Sequence, residues 1–140
     1  MMLKMDQAAL EAFLKEEFPQ VTGEFSVEAV APMRLTMRMS PLEKHLRPGG
    51  TVSGPSLFAL ADVAVYLAIL AMIGPKALAV TTNASIDFMR KPMAARDLVA
   101  EARLLKLGRV LAVGDVLISS DGVEGPVARA SLTYAIPPDR

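Results

Sequence analysis

Residues 55–75 read PSLFALADVAVYLAILAMIGP, an apolar run whose one charged residue is Asp62. Pro55 suits the first turn of a helix and Gly74-Pro75 ends one, so the run predicts a helix from Pro55 to Ile73. Because the run is apolar on every side, the helix needs cover over most of its surface. Its length also fits a membrane span, but a carboxylate at mid-bilayer costs roughly 2.5–3.5 kcal/mol, and strand-like sequence surrounds the run. A buried central helix is therefore favoured.

A second helix is predicted between Met5 and Phe18. Apolar residues recur there at helical spacing, Asp6 stands at the N-cap position, and Pro19 follows the end. The helix is amphipathic.

Alternating apolar and polar residues predict five to six strands in the rest of the chain. In the strand after the central helix, Val80, Ala84, Ile86 and Phe88 alternate with polar residues, which predicts one buried and one exposed face. A strongly curved antiparallel sheet could wrap the central helix, so the class is α+β in one domain, residues 1–140. The strands are EFSVEAVA (24–31), PMRLTMRMS (32–40), AVTTNASIDF (79–88), DLVAEARLLK (97–106), RVLAVGDVLISS (109–120) and PVARASLTYAI (126–136).

The composition excludes several classes of function. Lys plus Arg and Asp plus Glu number fifteen each. This balance gives no electrostatic field strong enough to argue for nucleic acid or an anionic membrane as the main partner. The chain has no Cys and one His, His45, so thiol chemistry and a zinc cluster are excluded. We expect no cofactor. The N-terminus lacks the apolar run of a secretion signal, which predicts a cytoplasmic protein.

Two features could carry chemistry. Gly54 begins the central helix, where unpaired N–H groups and the positive end of the dipole can bind an oxyanion; the alternative is a tight turn. Asp62 lies two helical turns further on, roughly 12 Å along the axis, and cannot reach its own loop directly. It is either a satisfied structural residue, or a general base or nucleophile. Ser53 with His45 as its base is disfavoured, because no G-x-S-x-G elbow surrounds Ser53.

The motif GTVSG followed by LAD at this separation resembles the hot-dog fold acyl-CoA thioesterases, specifically the phenylacetate-degradation type. The similarity continues through TTNASIDFMRKP and KLGRVLAVGDVLISSDG and covers roughly residues 33–136. The resemblance implies a helix wrapped by an antiparallel sheet, in a homodimer that often pairs into a homotetramer. It also implies active sites at the dimer interface.

The resemblance assigns roles to three residues. The Gly54 N–H would polarise the thioester carbonyl, and Asp62 of the other subunit would activate water or attack the carbonyl carbon. Thr81 would help to place the water, with Thr82 one register away. Coenzyme A would enter as part of the substrate, whose acyl group would be medium-chain or aromatic.

The sequence departs from the family pattern at three positions. Arg47 replaces an Asn seven residues before the glycine, Ser53 replaces the His just before it, and Pro55 replaces a second Gly. Pro55 has no N–H, so the oxyanion site would depend on the Gly54 N–H with fewer additional hydrogen-bond donors. These three residues are predicted substrate contacts. By analogy with the family, four cations are candidates for the phosphates of coenzyme A, namely Arg90, Lys91, Lys106 and Arg109.

Two alternative functions remain open. A hydratase on the same fold would act on enoyl or hydroxyacyl thioesters. That chemistry uses a His paired with an acid, and it is disfavoured here because His45 precedes the loop and does not lie within it. A binding protein could hold acyl-CoA without turnover, which the loss of the loop Asn and His makes plausible.

Overall fold

The fold is a six-stranded antiparallel sheet curved around one long helix. The computed structural model describes residues 2–21 and 23–138. The sheet order is β1-β2-β4-β5-β6-β3. The elements in chain order are α1 (Gln7–Glu17), β1 (Phe25–Ala31), β2 (Arg34–Met39), α2 (Gly54–Ile73), β3 (Val80–Phe88), β4 (Leu98–Leu107), β5 (Leu111–Ser120) and β6 (Ala128–Ala135), with short 3₁₀ turns at Pro19–Val21 and Glu43–His45.

The central helix is the core of the protein, as predicted. Thirteen of the twenty residues of α2 are buried, and the helix packs against all six strands. By length and composition α2 could also cross a membrane, as core helices of soluble proteins often can. Gly114 in β5 allows the sheet to approach the helix, since a Cβ at that position would lie 3.0 Å from Val65 Cγ1.

The N-terminal helix begins and ends where the sequence predicts. The Asp6 carboxylate accepts a hydrogen bond from Ala9 N at 2.9 Å, and Pro19 follows the last turn. The helix covers the outer edge of β1, because Val27 N donates to Glu11 Oε1 at 2.6 Å and Gln7 Nε2 donates to Val27 O at 2.7 Å. This edge of the sheet is therefore closed.

Strand β3 forms the opposite edge of the sheet, and its burial differs from the sequence prediction. The prediction of one buried face is wrong for a single chain, in which Val80 is 56% and Phe88 54% exposed and Ala84 is also exposed. The reason is position: β3 lies at the end of the sheet, and α2 leaves this strand largely uncovered. Within residues 2–21 and 23–138, nothing hydrogen-bonds to the outer edge of β3. This edge strand is nine residues long and open, and it exposes apolar side chains on one face.

Candidate active site

Asp62 lies on the side of α2 that faces the start of β3. Its Oδ1 accepts a hydrogen bond from Thr81 Oγ1 at 2.6 Å. The register of β3 against β6 shifts between Thr81 and Asn83, so that Thr82 turns away and donates to Thr133 O at 3.3 Å. Of the two threonines that the sequence leaves open, Thr81 is the one beside the carboxylate; its role in a reaction stays a prediction.

Tyr134 is a third member of this cluster, which the sequence analysis missed. Its hydroxyl lies 2.7 Å from Asp62 Oδ1 and 3.0 Å from the backbone oxygen of Asp62. A signal was present in the sequence, because Tyr134 shares its face of β6 with buried Leu132, and a buried phenol needs a hydrogen-bond partner. The sequence does not say which partner that is.

A cavity of about 260 Å³ opens beside Asp62. One aromatic wall consists of Phe18, Tyr66 and Tyr134, and the Tyr66 and Tyr134 rings stack with centroids 6.0 Å apart. A larger groove of about 350 Å³ crosses the outer face of the sheet, but it is lined mainly by charged and polar strand residues and does not include Asp62. The smaller cavity is lined by Glu17, Phe18, Gln20, Asp62, Tyr66, Ala77, Ala79, Val80, Thr81 and Tyr134.

The start of α2 offers one unpaired backbone donor. Ser53 is the N-cap, with its Oγ accepting from Ser56 N at 3.3 Å and its carbonyl accepting from Leu57 N at 3.1 Å. Pro55 has no N–H. In the described part of the chain, no acceptor contacts Gly54 N. This N–H lies at the N-terminus of α2, which is the positive end of the helix dipole. The first turn can therefore give one backbone hydrogen bond to a ligand.

Gly54 also lies against the far end of β3. A Cβ built on Gly54 would lie 3.1 Å from Phe88 Cζ, so the ring covers this glycine. The strand therefore contacts Asp62 through Thr81 near one end and Gly54 through Phe88 at the other. Within one chain, the two candidate catalytic groups stay about two helical turns apart.

His45 anchors the loop that leads into α2 and is only 5% exposed. Leu42 N donates to His45 Nδ1 at 2.7 Å, so Nε2 carries the proton and donates to Glu24 Oε1 at 2.6 Å. The ring nitrogens are both occupied, and Ser53 Oγ donates to Ser56 Oγ instead. His45 thus has a structural role, which speaks against the serine nucleophile and against a hydratase that uses this His.

The hydrogen bond between His45 and Glu24 predicts that the stability of the fold depends on pH. Burial opposes ionisation of Glu24, but hydrogen bonds from His45 and Lys44 outweigh it and lower the pKa of Glu24. The ionised carboxylate therefore stabilises the fold above its unfolded-state pKa, and this contribution is lost as pH falls through the lower folded pKa. We expect Glu24→Gln to lower the free energy of unfolding by about 1–2 kcal/mol at pH 7.

Urea unfolding between pH 3 and 7 checks this expectation, and the difference between wild type and variant should narrow below about pH 4. The matched control is Glu43→Gln, an exposed neighbour, which should change stability by less than about 0.5 kcal/mol. If the difference in free energy of unfolding between wild type and Glu24→Gln is the same at every pH, Glu24 does not stabilise the fold as an ionised carboxylate.

The predicted phosphate-binding cations are exposed, and in the described residues their side chains make no ion pair. Arg90 and Lys91 follow the end of β3. Lys106, near the end of β4, and Arg109, in the β4–β5 turn, lie at the end of the sheet where β3 starts, with β5 and β6 between β4 and β3. The length of β6 separates the two pairs, roughly 24 Å. One chain therefore does not bring all four together. Arg47, also exposed, lies in the loop before α2.

Comparisons with known proteins identify the family of this fold. The profile of the thioesterase superfamily matches residues 49–126, more than half of the chain. A crystal structure from Silicibacter sp. TM1040, to which thioesterase activity is ascribed, is 63% identical; the match covers 99% of this chain and 96% of that one, with a TM-score of 0.93. No curated protein matches the chain.

More distant structures share the fold. A variant of the phenylacetic acid degradation protein PaaI from Thermus thermophilus is 29% identical over 85% of this chain and 99% of that one, with a TM-score of 0.74. A hypothetical thioesterase protein from Streptococcus pneumoniae TIGR4, solved with coenzyme A, is 20% identical over 94% and 99%, with a TM-score of 0.78. The profile match and the 63% identical relative together show that the chain belongs to the thioesterase superfamily.

Proposed function

We propose that the protein hydrolyses acyl-CoA thioesters at a site shared between two copies of the chain. The observation that carries the proposal is the arrangement along β3, which touches Asp62 through Thr81 near one end and Gly54 through Phe88 at the other. Asp62 and the free Gly54 amide lie apart in one chain, but they can come together when two chains pair.

The open edge of β3 supports the pairing. A long open edge strand with exposed apolar side chains can pair with another strand, and α1 already lies over the opposite edge of this sheet. An antiparallel pair of β3 strands centred on Ala84 would set Val80 of one copy opposite Phe88 of the other. Gly54 of the second copy would then approach Asp62 of the first. A homodimer would thus complete two sites; its pairing into a homotetramer stays a prediction.

The chemistry follows from these groups. Gly54 N–H would donate to the thioester carbonyl oxygen and stabilise the negative charge that develops there. Asp62 would take a proton from water as the water oxygen bonds to the carbonyl carbon, or would attack that carbon itself and form a mixed anhydride, which water hydrolyses after the thiol has left. The carbon–sulfur bond then breaks and coenzyme A leaves as the thiolate, which takes up a proton. Thr81 would hold the carboxylate in place.

The cavity beside Asp62 supports an apolar acyl group. Its aromatic wall, Phe18, Tyr66 and Tyr134, suits a medium-chain or aromatic acyl group, and about 260 Å³ limits the size. The PaaI relative supports the phenylacetate-degradation type, and the coenzyme A found in the pneumococcal structure supports the thiol part of the substrate.

The four exposed cations support phosphate binding at the same site. In the paired strands, Arg90 and Lys91 of one copy would approach Lys106 and Arg109 of the other, because these pairs lie at opposite ends of β3 in each chain. Arg47, Ser53 and Pro55 would lie near the carbonyl-binding end, as predicted from the family pattern.

One observation favours a second candidate, an acyl-CoA binding protein without turnover. The first turn of α2 has a single free N–H, since Pro55 has none and Ser53 occupies the next two amides. Such a site could bind a carbonyl yet stabilise its oxyanion weakly.

Thiol release from a panel of acyl-CoAs separates the two candidates. We expect hydrolysis by the wild-type protein, fastest for medium-chain or aromatic acyl groups and slow for acetyl-CoA, because the aromatic wall gains contact with the larger groups. Tight binding of the same thioesters with no thiol released over hours would instead establish the binding protein.

A further inference from the structure

The two oxygens of the Asp62 carboxylate have different surroundings. Oδ1 accepts from Thr81 Oγ1 at 2.6 Å and from the Tyr134 hydroxyl at 2.7 Å. Oδ2 has no donor anywhere in residues 2–21 and 23–138. A carboxylate oxygen has about two lone-pair sites, so Oδ1 is fully occupied and Oδ2 is free to bind water or substrate.

The Tyr134 ring is held in place by its neighbours. The side chain is 3% exposed and stacks on Tyr66, which also contacts Phe13 and Phe18 with ring centroids 6.2 Å away in each case. Tyr66 is fixed in turn by its hydroxyl, which donates to Ala77 O at 3.0 Å. The Tyr134 hydroxyl therefore sits at the end of a packed aromatic cluster.

Tyr134 also remains a hydrogen-bond donor. Burial and the adjacent Asp62 carboxylate raise the pKa of Tyr134 far above its usual range, so the phenol keeps its proton at neutral pH. Of its two contacts, the one to Asp62 Oδ1 at 2.7 Å is shorter than the one to the backbone oxygen at 3.0 Å and has a charged acceptor, which makes it the stronger bond.

We propose that Tyr134 is a positioning residue that, with Thr81, fixes Asp62 Oδ1 and leaves Oδ2 as the oxygen that acts on water or on the thioester carbon. This inference rests on the proposed function, since it assigns the two oxygens of the proposed base separate tasks. It also ties the catalytic carboxylate to the aromatic wall of the acyl cavity, because Tyr134 belongs to both.

The test is Tyr134→Phe, which removes one hydroxyl and keeps the stacked ring. We expect kcat to fall about 10-fold to 100-fold, because the carboxylate loses a fixed orientation, while KM changes less than about twofold. In crystals of the variant, the Asp62 carboxylate should occupy more than one orientation, against one in the wild type. The control is Ser131→Ala, which removes an exposed hydroxyl of β6 outside the cavity and no donor to Asp62, so it should keep the single orientation.

The outcomes separate the two proposals. Wild-type protein that is inactive on every thioester contradicts the proposed function. An active wild type, with kcat and the Asp62 orientation unchanged in Tyr134→Phe, contradicts the role of Tyr134 alone. A fall in kcat with the Asp62 carboxylate still in a single orientation also contradicts it, since loss of that orientation would then not be the cause.

Discussion

Asp62→Asn is expected to lower thioester hydrolysis by about 1,000-fold. The amide cannot accept a proton from water, and removal of a general base typically costs about 10²-fold to 10⁴-fold. The fold should be kept, because the Asn side-chain oxygen can accept the same hydrogen bonds from Thr81 and Tyr134. Thiol release from the best acyl-CoA of the panel measures the loss, and urea unfolding measures stability.

The matched control is Asp115→Asn. Asp115 is a partly exposed β5 residue paired with Arg103 at 3.6 Å on the outer face of the sheet, and such pairs contribute about 0–1 kcal/mol. We expect its activity to stay within about twofold of wild type. If Asp62→Asn is as active as the wild-type protein, another residue supplies the base and the assigned site is wrong.

Gly54→Val is expected to lower kcat/KM by about 100-fold. Loss of an oxyanion donor costs about 10²-fold to 10³-fold, and a branched side chain at this position would shield the free N–H of the first turn. It would also displace the Phe88 ring, whose Cζ would otherwise lie 3.1 Å from the new Cβ. Hydrolysis of the best acyl-CoA substrate, with size-exclusion chromatography to follow dimerisation, checks the result.

Gly54→Ala provides a graded comparison. Its single methyl requires the Phe88 ring to move by only a few tenths of an ångström, so we expect a loss of about 10-fold. Both variants should unfold in urea near the wild-type midpoint. Wild-type kcat/KM in a folded, dimeric Gly54→Val would show that the amide of this residue does not bind the reacting oxygen.

Much of the fold was predictable because local signals agree with the packing. The Asp6 cap, the Pro55 start and the Gly74 end mark both helices within a residue or two, and six alternating segments mark the six strands. The exception is β3, whose alternation is typical of a half-buried strand although the single chain leaves it exposed. Alternation reports that a face is apolar, and it does not say whether the covering surface belongs to the same chain.

The candidate site was only partly predictable. Gly54 and Asp62 belong to one motif, and the resemblance named Thr81 but left Thr82 open until the register shift separated them. Tyr134 lies 72 residues from Asp62 along the chain, and Glu24 lies 21 residues from its partner His45. Contacts across such separations depend on sheet order and register, which local patterns do not specify.

The central claim is that one copy supplies Gly54 and another supplies Asp62, and a mixed dimer tests it most directly. Asp62→Asn and Gly54→Val, each expected to keep about 1% or less of wild-type activity alone, are co-expressed with different affinity tags, and the mixed dimer is isolated with both tags. One of its two sites would combine an intact Gly54 with an intact Asp62, so we predict about half of the wild-type activity per dimer. A mixed dimer as inactive as its two parents would contradict a site shared between chains.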